Sequence, residues 1–283
     1  MTVLVSLARF VMSGPWQGPL LAAAFFIHPW TSWLSLSIIG LIGLRQGVFG
    51  AGLAGLAALM TQLIPGMLFQ LIDVIAALVV IVSVNVLRVT VRLDWALLTL
   101  TLAAFVGLML TSLLASGVFD PIIENYRLFY EAFEAQLSES VVTAWQDQNL
   151  VHLAMESVAW AVAFKACLAL FLARWWQSKL YNPGGFKKEF LSLQFVPPVV
   201  IALLLGYLSL IFFVKDWAPL AQLIRVPLFL AGLAVVVWWF VERQINTGWR
   251  LAFFVSLPVT HPLVVIVGMF DSFLNLRKKL AVN

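Results

Sequence analysis

The stretch LVHLAMESVAWAVAFKACLALFLARWWQSKLYNPGGFKK, residues 150–188, decides the fold class of this chain. Residues 150–173 are mostly apolar, and about 20 apolar residues of helix cross a hydrocarbon core of about 30 Å. Similar apolar runs fill the rest of the chain, which is 63% hydrophobic and 11% charged, with a mean hydropathy of +1.01. A soluble domain of 283 residues cannot bury so much apolar surface, so we predict an all-α integral membrane protein.

The polar breaks divide the chain into spans, predicted at 48–64, 68–87, 95–118, 150–173, 196–214, 226–241 and 251–270. The region 16–44 is also apolar, but His28-Pro29 divides it into two pieces that are each short for a full span. It forms either two short tilted helices or one broken helix. We therefore predict a single polytopic membrane domain over residues 1–283, a helical bundle of about seven to nine hydrophobic segments.

Charge asymmetry predicts the orientation, because cytoplasmic loops carry an excess of Lys and Arg. The segment 174–195 is basic, and its cations are Arg174, Lys179, Lys187 and Lys188. The segment 119–149 is rich in Asp and Glu, with Arg127 as its lone cation. We expect the first segment in the cytoplasm and the second outside, in a multi-pass protein of the bacterial cell inner membrane.

The last apolar region has two possible courses, and only one of them places the C-terminal tail in agreement with this orientation. A single span over 251–270 leaves Arg277-Lys278-Lys279 outside, against the rule for basic residues. If Pro258 and His261-Pro262 instead split this region into a re-entrant hairpin, the tail lies inside.

Asp73, Lys165 and Glu156 are the candidate ligand-binding residues, since ionisable side chains within spans are expensive and need a partner or water. Counted from the basic side, Asp73 and Lys165 lie about 22 Å and about 13 Å deep, and the Lys165 stem leans toward Asp73. The two residues form either a structural ion pair or the polar floor of an outward-facing pocket. Glu156 lies nearer the outer surface on the Lys165 helix.

Small residues at four-residue intervals predict a helix-packing face. These are Gly43, Gly47, Ala51 and Gly55, with a parallel row at Gly50, Ala54 and Ala58. In lipid, close approach of backbones supplies the packing energy between helices. The partner helix belongs either to this chain or to another membrane protein.

Two amphipathic segments flank the spans. Asp120-Pro121 is typical of a helix start, and the apolar residues that follow recur at three- and four-residue steps. This outer helix either lies flat on the outer leaflet or covers a cavity as a lid. In the inner loop, Arg174, Lys179, Lys187 and Lys188 are candidate contacts for anionic lipid or for a partner.

The sequence carries no catalytic signature. His28, His152 and His261 are far apart and have no metal-ligand spacing, and Cys167 lies alone in an apolar run. Glycine-rich nucleotide loops, nucleophile elbows and zinc-protease motifs are also missing from the sequence. We therefore expect no enzyme activity, no cofactor and no metal, and we do not expect nucleic acid as a partner despite the net charge of +4.

The loop from Arg174-Trp175-Trp176-Gln177 through Tyr181-Asn182-Pro183-Gly184-Gly185-Phe186 to Glu189-Phe190 resembles that of the YybS-like family of bacterial membrane proteins. The stretches Gly43-Leu44-Arg45-Gln46-Gly47 and Gly268-Met269-Phe270-Asp271-Ser272-Phe273 are similar to that family as well. More distantly, the chain is similar to substrate-binding subunits of energy-coupling-factor vitamin transporters and to the rod-shape protein MreD. The resemblance implies either a solute-binding subunit of a transport system or a non-transporting scaffold for envelope or cell-division machinery.

Overall fold

The computed structural model describes residues 2–63, 71–134 and 150–281, and every regular element within these ranges is helical. The α-helices are α1 Thr2–Val11, α2 Gln17–Phe26, α3 Ser32–Gln46, α4 Val48–Met60, α5 Leu71–Thr90, α6 Leu93–Leu114, α7 Asp120–Glu134, α8 Leu150–Tyr181, α9 Gly185–Leu191, α10 Pro197–Phe212, α11 Gln222–Glu242, α12 Thr247–Leu274 and α13 Leu276–Ala281. Short 3-10 segments lie at Thr61–Leu63, Ser116–Phe119 and Lys215–Ala221. The predicted all-α helical bundle is therefore confirmed for the described residues.

Five helical stretches are long and apolar enough to cross a membrane. They are Ile72–Thr90, Leu93–Leu114, Leu150–Tyr181, Lys215–Glu242 and Thr247–Leu274, while Gln17–Phe26, Val48–Leu63 and Pro197–Phe212 are shorter apolar helices. Many of their large apolar side chains are exposed, among them Phe49, Leu102 and Val259. Such a surface suits a lipid environment, because soluble monomers rarely expose extended apolar patches.

The region 16–44 forms two helices, α2 and α3, and the break between them falls at His28-Pro29 as expected. The boundary between the predicted spans 48–64 and 68–87 lies outside the described residues. So does the part of the predicted outer segment 119–149 that follows Glu134.

The core of the bundle forms around α3, which packs against α2, α4, α5 and α8. Residues 35–44 of α3 are all buried, and this helix is apolar on all sides rather than on one stripe. A helix that is hydrophobic all round is one surrounded by other helices. The short α3 is therefore a central element of the fold, although its length falls below that of a full span.

Gly47 separates α3 from α4. Gly47 has a φ of +82°, a conformation that glycine adopts at little cost. Its N–H donates to the Gly43 carbonyl and so caps the end of α3. The predicted small-residue row is therefore not one helical face. Gly43 belongs to α3, Gly47 lies at the junction, and Ala51 and Gly55 belong to α4.

One end of the molecule gathers the basic residues, and we call it the basic end. The Arg45 guanidinium stacks over the Tyr181 ring at 3.9 Å, which places the end of α3 beside the end of α8. The Arg88 guanidinium lies against Gly47, so α5 ends there too. The acidic helix α7 follows α6, which runs about 33 Å away from Arg92. α7 therefore lies toward the opposite, acidic end.

The course of α12 bends back on itself. Its first part lies beside the end of α11, since the Phe253 ring packs edge-on against Phe240 at 5.4 Å and the Arg250 guanidinium donates to the Phe240 carbonyl. The later part follows α11 in the same direction, through the pairs Arg225 with His261 and Gly232 with Gly268. The next helix, α13, continues this course, since the Arg243 guanidinium donates to the Leu280 carbonyl. A short loop joins α11 to α12, so this parallel course requires a change of direction between Phe253 and Gly268.

The reversal coincides with Pro258 and Pro262, which remove two helical N–H donors, yet the segment remains helical from Thr247 to Leu274. Both of its ends lie at the basic end. The Arg277 guanidinium donates to the carbonyls of Leu191 and Leu193, which lie in the basic segment 174–195, which we call the basic loop. Length alone counts α12 as a full span, but these contacts favour the re-entrant alternative.

Candidate functional site

One ion pair joins two of the long apolar helices, between Asp73 of α5 and Lys165 of α8. Asp73 lies in the first turn of α5, its side chain is only 1% exposed, and its Oδ1 atom is 2.5 Å from the Lys165 Nζ atom. Lys165 lies near the middle of α8, and its side chain is 22% exposed. The structure thus brings together the two candidate residues that are 92 positions apart in the chain.

Ser32, the first residue of α3, completes this ionic cluster. Its hydroxyl lies 3.0 Å from Asp73 Oδ1, 2.9 Å from the Pro29 carbonyl and 3.2 Å from Lys165 Nζ. A hydroxyl has one proton, so it donates to either Asp73 or Pro29 while its oxygen accepts from the Lys165 ammonium. Ser32 therefore links the break between α2 and α3 to the ion pair.

The N-termini of α3 and α5 converge on the cluster. Each helix start carries partial positive charge from its free N–H groups, which favours the carboxylate of Asp73. α3 and α5 both run from the cluster to the basic end, a distance of about 22 Å. The cluster therefore lies toward the acidic end of the bundle, where the break between α2 and α3 also falls.

Backbone groups at this break are largely satisfied by local hydrogen bonds. The Thr31 hydroxyl donates to the Phe25 carbonyl at 2.8 Å, and the N–H groups of Thr31 and Ser32 both donate to the His28 carbonyl at 3.0 Å. The Trp30 N–H lies 3.2 Å from His28 Nδ1. The break is an ordered turn, and it holds Ser32 in a fixed position against Asp73.

Glu156, the third candidate, does not join the cluster. It precedes Lys165 by nine residues on α8, which places it about 13 Å further along the axis and about half a turn around the helix. The two side chains therefore leave opposite sides of α8. Glu156 therefore lies apart from the ion pair, and its role in ligand binding stays a prediction.

The small residues pack against helices of this chain. A Cβ atom on Gly43 would lie 2.7 Å from a Val84 methyl and 3.1 Å from Ala51, and one on Gly55 would lie 3.0 Å from Ile81. Ala51, Ala54 and Ala58 are completely buried. Of the two alternatives for this face, the structure shows packing within the chain, so the face is not free for a partner helix.

The basic loop divides into buried and exposed cations. Arg174 is 7% exposed, and its guanidinium pairs with the Glu189 carboxylate and with Gln177. It therefore fastens α9 to α8 and is not free for lipid or a partner, contrary to the prediction. Lys179, Lys187 and Lys188 are exposed and remain candidate contacts.

Sequence reasoning missed a second cluster, at Arg225. The guanidinium lies 2.5 Å from Gln222 Oε1 and 2.9 Å from His261 Nε2, beside a groove of about 330 Å³ between α10, α11 and α12. The sequence carries one indication of this cluster, because Arg225 is a charged residue inside an apolar run. Its contact with His261 depends on the bend in α12, which the sequence left open.

The described residues contain no group of three or more His, Cys, Asp or Glu side chains arranged to hold a metal ion. Taken together, the fold and the ionic cluster define an all-helical protein with five apolar stretches long enough to span a membrane. Comparisons with protein-family models, with curated protein sequences and with solved structures give no match to this chain.

Proposed function

We propose that this chain is a multi-pass protein of the bacterial inner membrane that binds a small solute as the membrane subunit of a transport system. The observation that carries this proposal is the ionic cluster of Ser32, Asp73 and Lys165 at the converging starts of α3 and α5. The basic end then faces the cytoplasm and the acidic end faces outward.

A buried ion pair adds little net stability to helix packing, because both charges must lose their hydration. Removing two charges from water costs several kcal/mol per ion, and an apolar pair of similar volume is often as stable. Ionisable groups within membrane spans therefore tend to mark binding sites or ion pathways. Here the cation keeps 22% of its side chain exposed, so it can still be reached.

The break between α2 and α3 supports the same function. Discontinuous helices in transporters place their N-termini and irregular backbone at the substrate site. In this chain the turn after α2 presents Ser32 directly to the ion pair. The 174–190 loop resembles that of the YybS-like family, and the chain is more distantly similar to vitamin transporter subunits. These resemblances favour a solute with the size and polarity of a water-soluble vitamin.

Native mass spectrometry of the purified full chain tests the proposal, with a defined mixture of water-soluble vitamins as the probe. We expect the wild type to retain at least one of them and the double variant Asp73→Asn/Lys165→Met to retain none. Arg127→Gln, which breaks an exposed ion pair on α7, is the matched control and keeps the adduct. Equal retention by the double variant excludes the cluster as the site, and a wild type that binds nothing from the mixture removes the support for a vitamin-like solute.

A scaffold for envelope or cell-division machinery, as in MreD, is the second candidate. One observation favours it: Ser32 and Asp73 are buried, so the cluster offers little open volume for a solute. The exposed side of α4 also presents a row of large apolar residues, at Val48, Phe49, Leu53, Leu56 and Met60. In the same mass spectra, a stable complex with envelope proteins and no small-molecule adduct favours the scaffold.

A further inference from the structure

We propose that the groove between α10, α11 and α12 binds an anionic phospholipid, with its phosphate at Arg225 and one acyl chain along the apolar walls. This site is separate from the ionic cluster at Asp73. The groove has a volume of about 330 Å³, within the range of small-molecule sites. Apart from Arg225, the side chains that line it are apolar or aromatic, and they include Leu203, Tyr207, Leu228, Val265 and Met269.

Two hydrogen bonds orient the Arg225 guanidinium and leave some of its donors for an anion. The His261 Nδ1 atom is 3.0 Å from the Pro258 carbonyl, so this nitrogen carries the proton and Nε2 accepts from the Arg225 guanidinium. A second guanidinium N–H donates to Gln222. These two bonds use two of the five N–H donors and leave the others for a ligand.

The charge of Arg225 is not neutralised by a carboxylate among the residues that the structure describes. The described ion pairs involve Arg92, Arg127, Lys165, Arg174 and Arg277 as cations. Both groups that bond Arg225 are neutral acceptors, an amide oxygen and an imidazole nitrogen. A partly buried guanidinium in this setting favours an anionic oxygen, and phosphate matches its planar donors.

The position of the groove fits a lipid. Arg225 lies in the first turn of α11, about 27 Å along the helix axis from Arg243 at the basic end. Across a hydrocarbon core of about 30 Å, this places the guanidinium close to the opposite interface, where phosphates lie. The wall residues Leu203, Leu228 and Met269 lie deeper, so an acyl chain follows them toward the membrane centre.

Native mass spectrometry of the delipidated full chain tests the site. Phosphatidylglycerol and phosphatidylcholine with identical acyl chains serve as the anionic and zwitterionic probes, and glycerol 3-phosphate serves as the soluble anion. We expect the wild type to retain phosphatidylglycerol in preference to the other two. Arg225→Gln lowers this retention about tenfold or more, because the charge-assisted bonds to the phosphate are lost.

Two further variants control the comparison. Arg127→Gln removes a cation toward the acidic end but outside the groove, and it retains phosphatidylglycerol as the wild type does. Ile266→Trp places a large ring from an exposed position into the groove, so it loses the lipid while Arg225 is intact. If Arg225→Gln does not fold, Ile266→Trp still decides the result.

Equal retention of the two lipids by the wild type, or unchanged retention in Arg225→Gln or Ile266→Trp, overturns the proposal. Binding of glycerol 3-phosphate as tight as that of the lipid also overturns it, because the occupant is then a soluble anion.

Discussion

At the residue scale, Asp73 and Lys165 form an ion pair that joins α5 to α8. Each side chain is an unpaired charge in a low-dielectric site once the other is removed, and this costs about 3–5 kcal/mol. We therefore predict that Asp73→Asn and Lys165→Met each lower the melting temperature in detergent. The double variant, which removes both charges, recovers much of the loss.

The exposed pair of Glu124 and Arg127 provides the matched control for this experiment. Its atoms are 2.8 Å apart and more than half of each side chain is exposed, so its removal costs less than about 1 kcal/mol. Glu124→Gln should leave the melting temperature nearly unchanged. Additive losses in the double variant of Asp73 and Lys165 contradict the coupling.

This pair could be predicted from sequence, because the Lys165 side chain leans toward the depth of Asp73 and two opposite charges in apolar helices have few other partners. Ser32 could not, since a serine at a helix start has an ordinary capping role and its neighbours depend on packing. Glu156 already differs from Lys165 in depth, by about 13 Å along α8. It lies on the same helix as Lys165, but the helical angle places it on another side.

At the scale of the element, the junction between α3 and α4 shows how one residue divides an apolar run. Gly47 has a φ of +82° and a ψ of −162°, a conformation nearly confined to glycine, and a Cβ atom there would overlap the Arg88 guanidinium. We predict that Gly47→Ala lowers the free energy of unfolding by about 1–3 kcal/mol. The measurement is the melting temperature in one detergent.

Gly52 is the matched control for Gly47, because it lies within α4 and a Cβ atom there meets nothing within 4 Å. Alanine favours helix over glycine by about 0.5–1 kcal/mol, so Gly52→Ala should be neutral or stabilising. If the two variants melt alike, the backbone at Gly47 does not require glycine.

The apolar runs predicted the helices well, because a helix in lipid must satisfy its own backbone and be about 20 residues long. The structure places α6 at Leu93–Leu114 against the predicted 95–118, a small difference at each end. The division of the 43–55 row was harder to predict. Small residues at four-residue spacing suit one helix, and the φ of Gly47 becomes known only from the folded backbone.

At the scale of the whole molecule, the basic residues gather at one end through contacts that link distant segments. Arg45 meets Tyr181, Arg88 meets Gly47, and Arg277 meets the carbonyls that follow α9. The sequence alone left the side of the tail undecided, because that depends on whether α12 crosses the bundle or turns within it. The parallel course of its later part beside α11 places the tail with the other cations.

The last prediction concerns orientation in the cell. In a Cys167→Ala background, single cysteines at Lys179, Lys279 and Glu131 report the basic loop, the tail and α7. Because cytoplasmic loops generally carry an excess of Lys and Arg, we expect an impermeant thiol reagent to label Glu131→Cys and to leave Lys179→Cys and Lys279→Cys unlabelled until the cells are opened. Labelling of Lys179→Cys in intact cells, with none at Glu131→Cys, reverses the orientation. Labelling of Lys279→Cys together with Glu131→Cys instead means that α12 crosses the membrane, and the re-entrant course is then wrong.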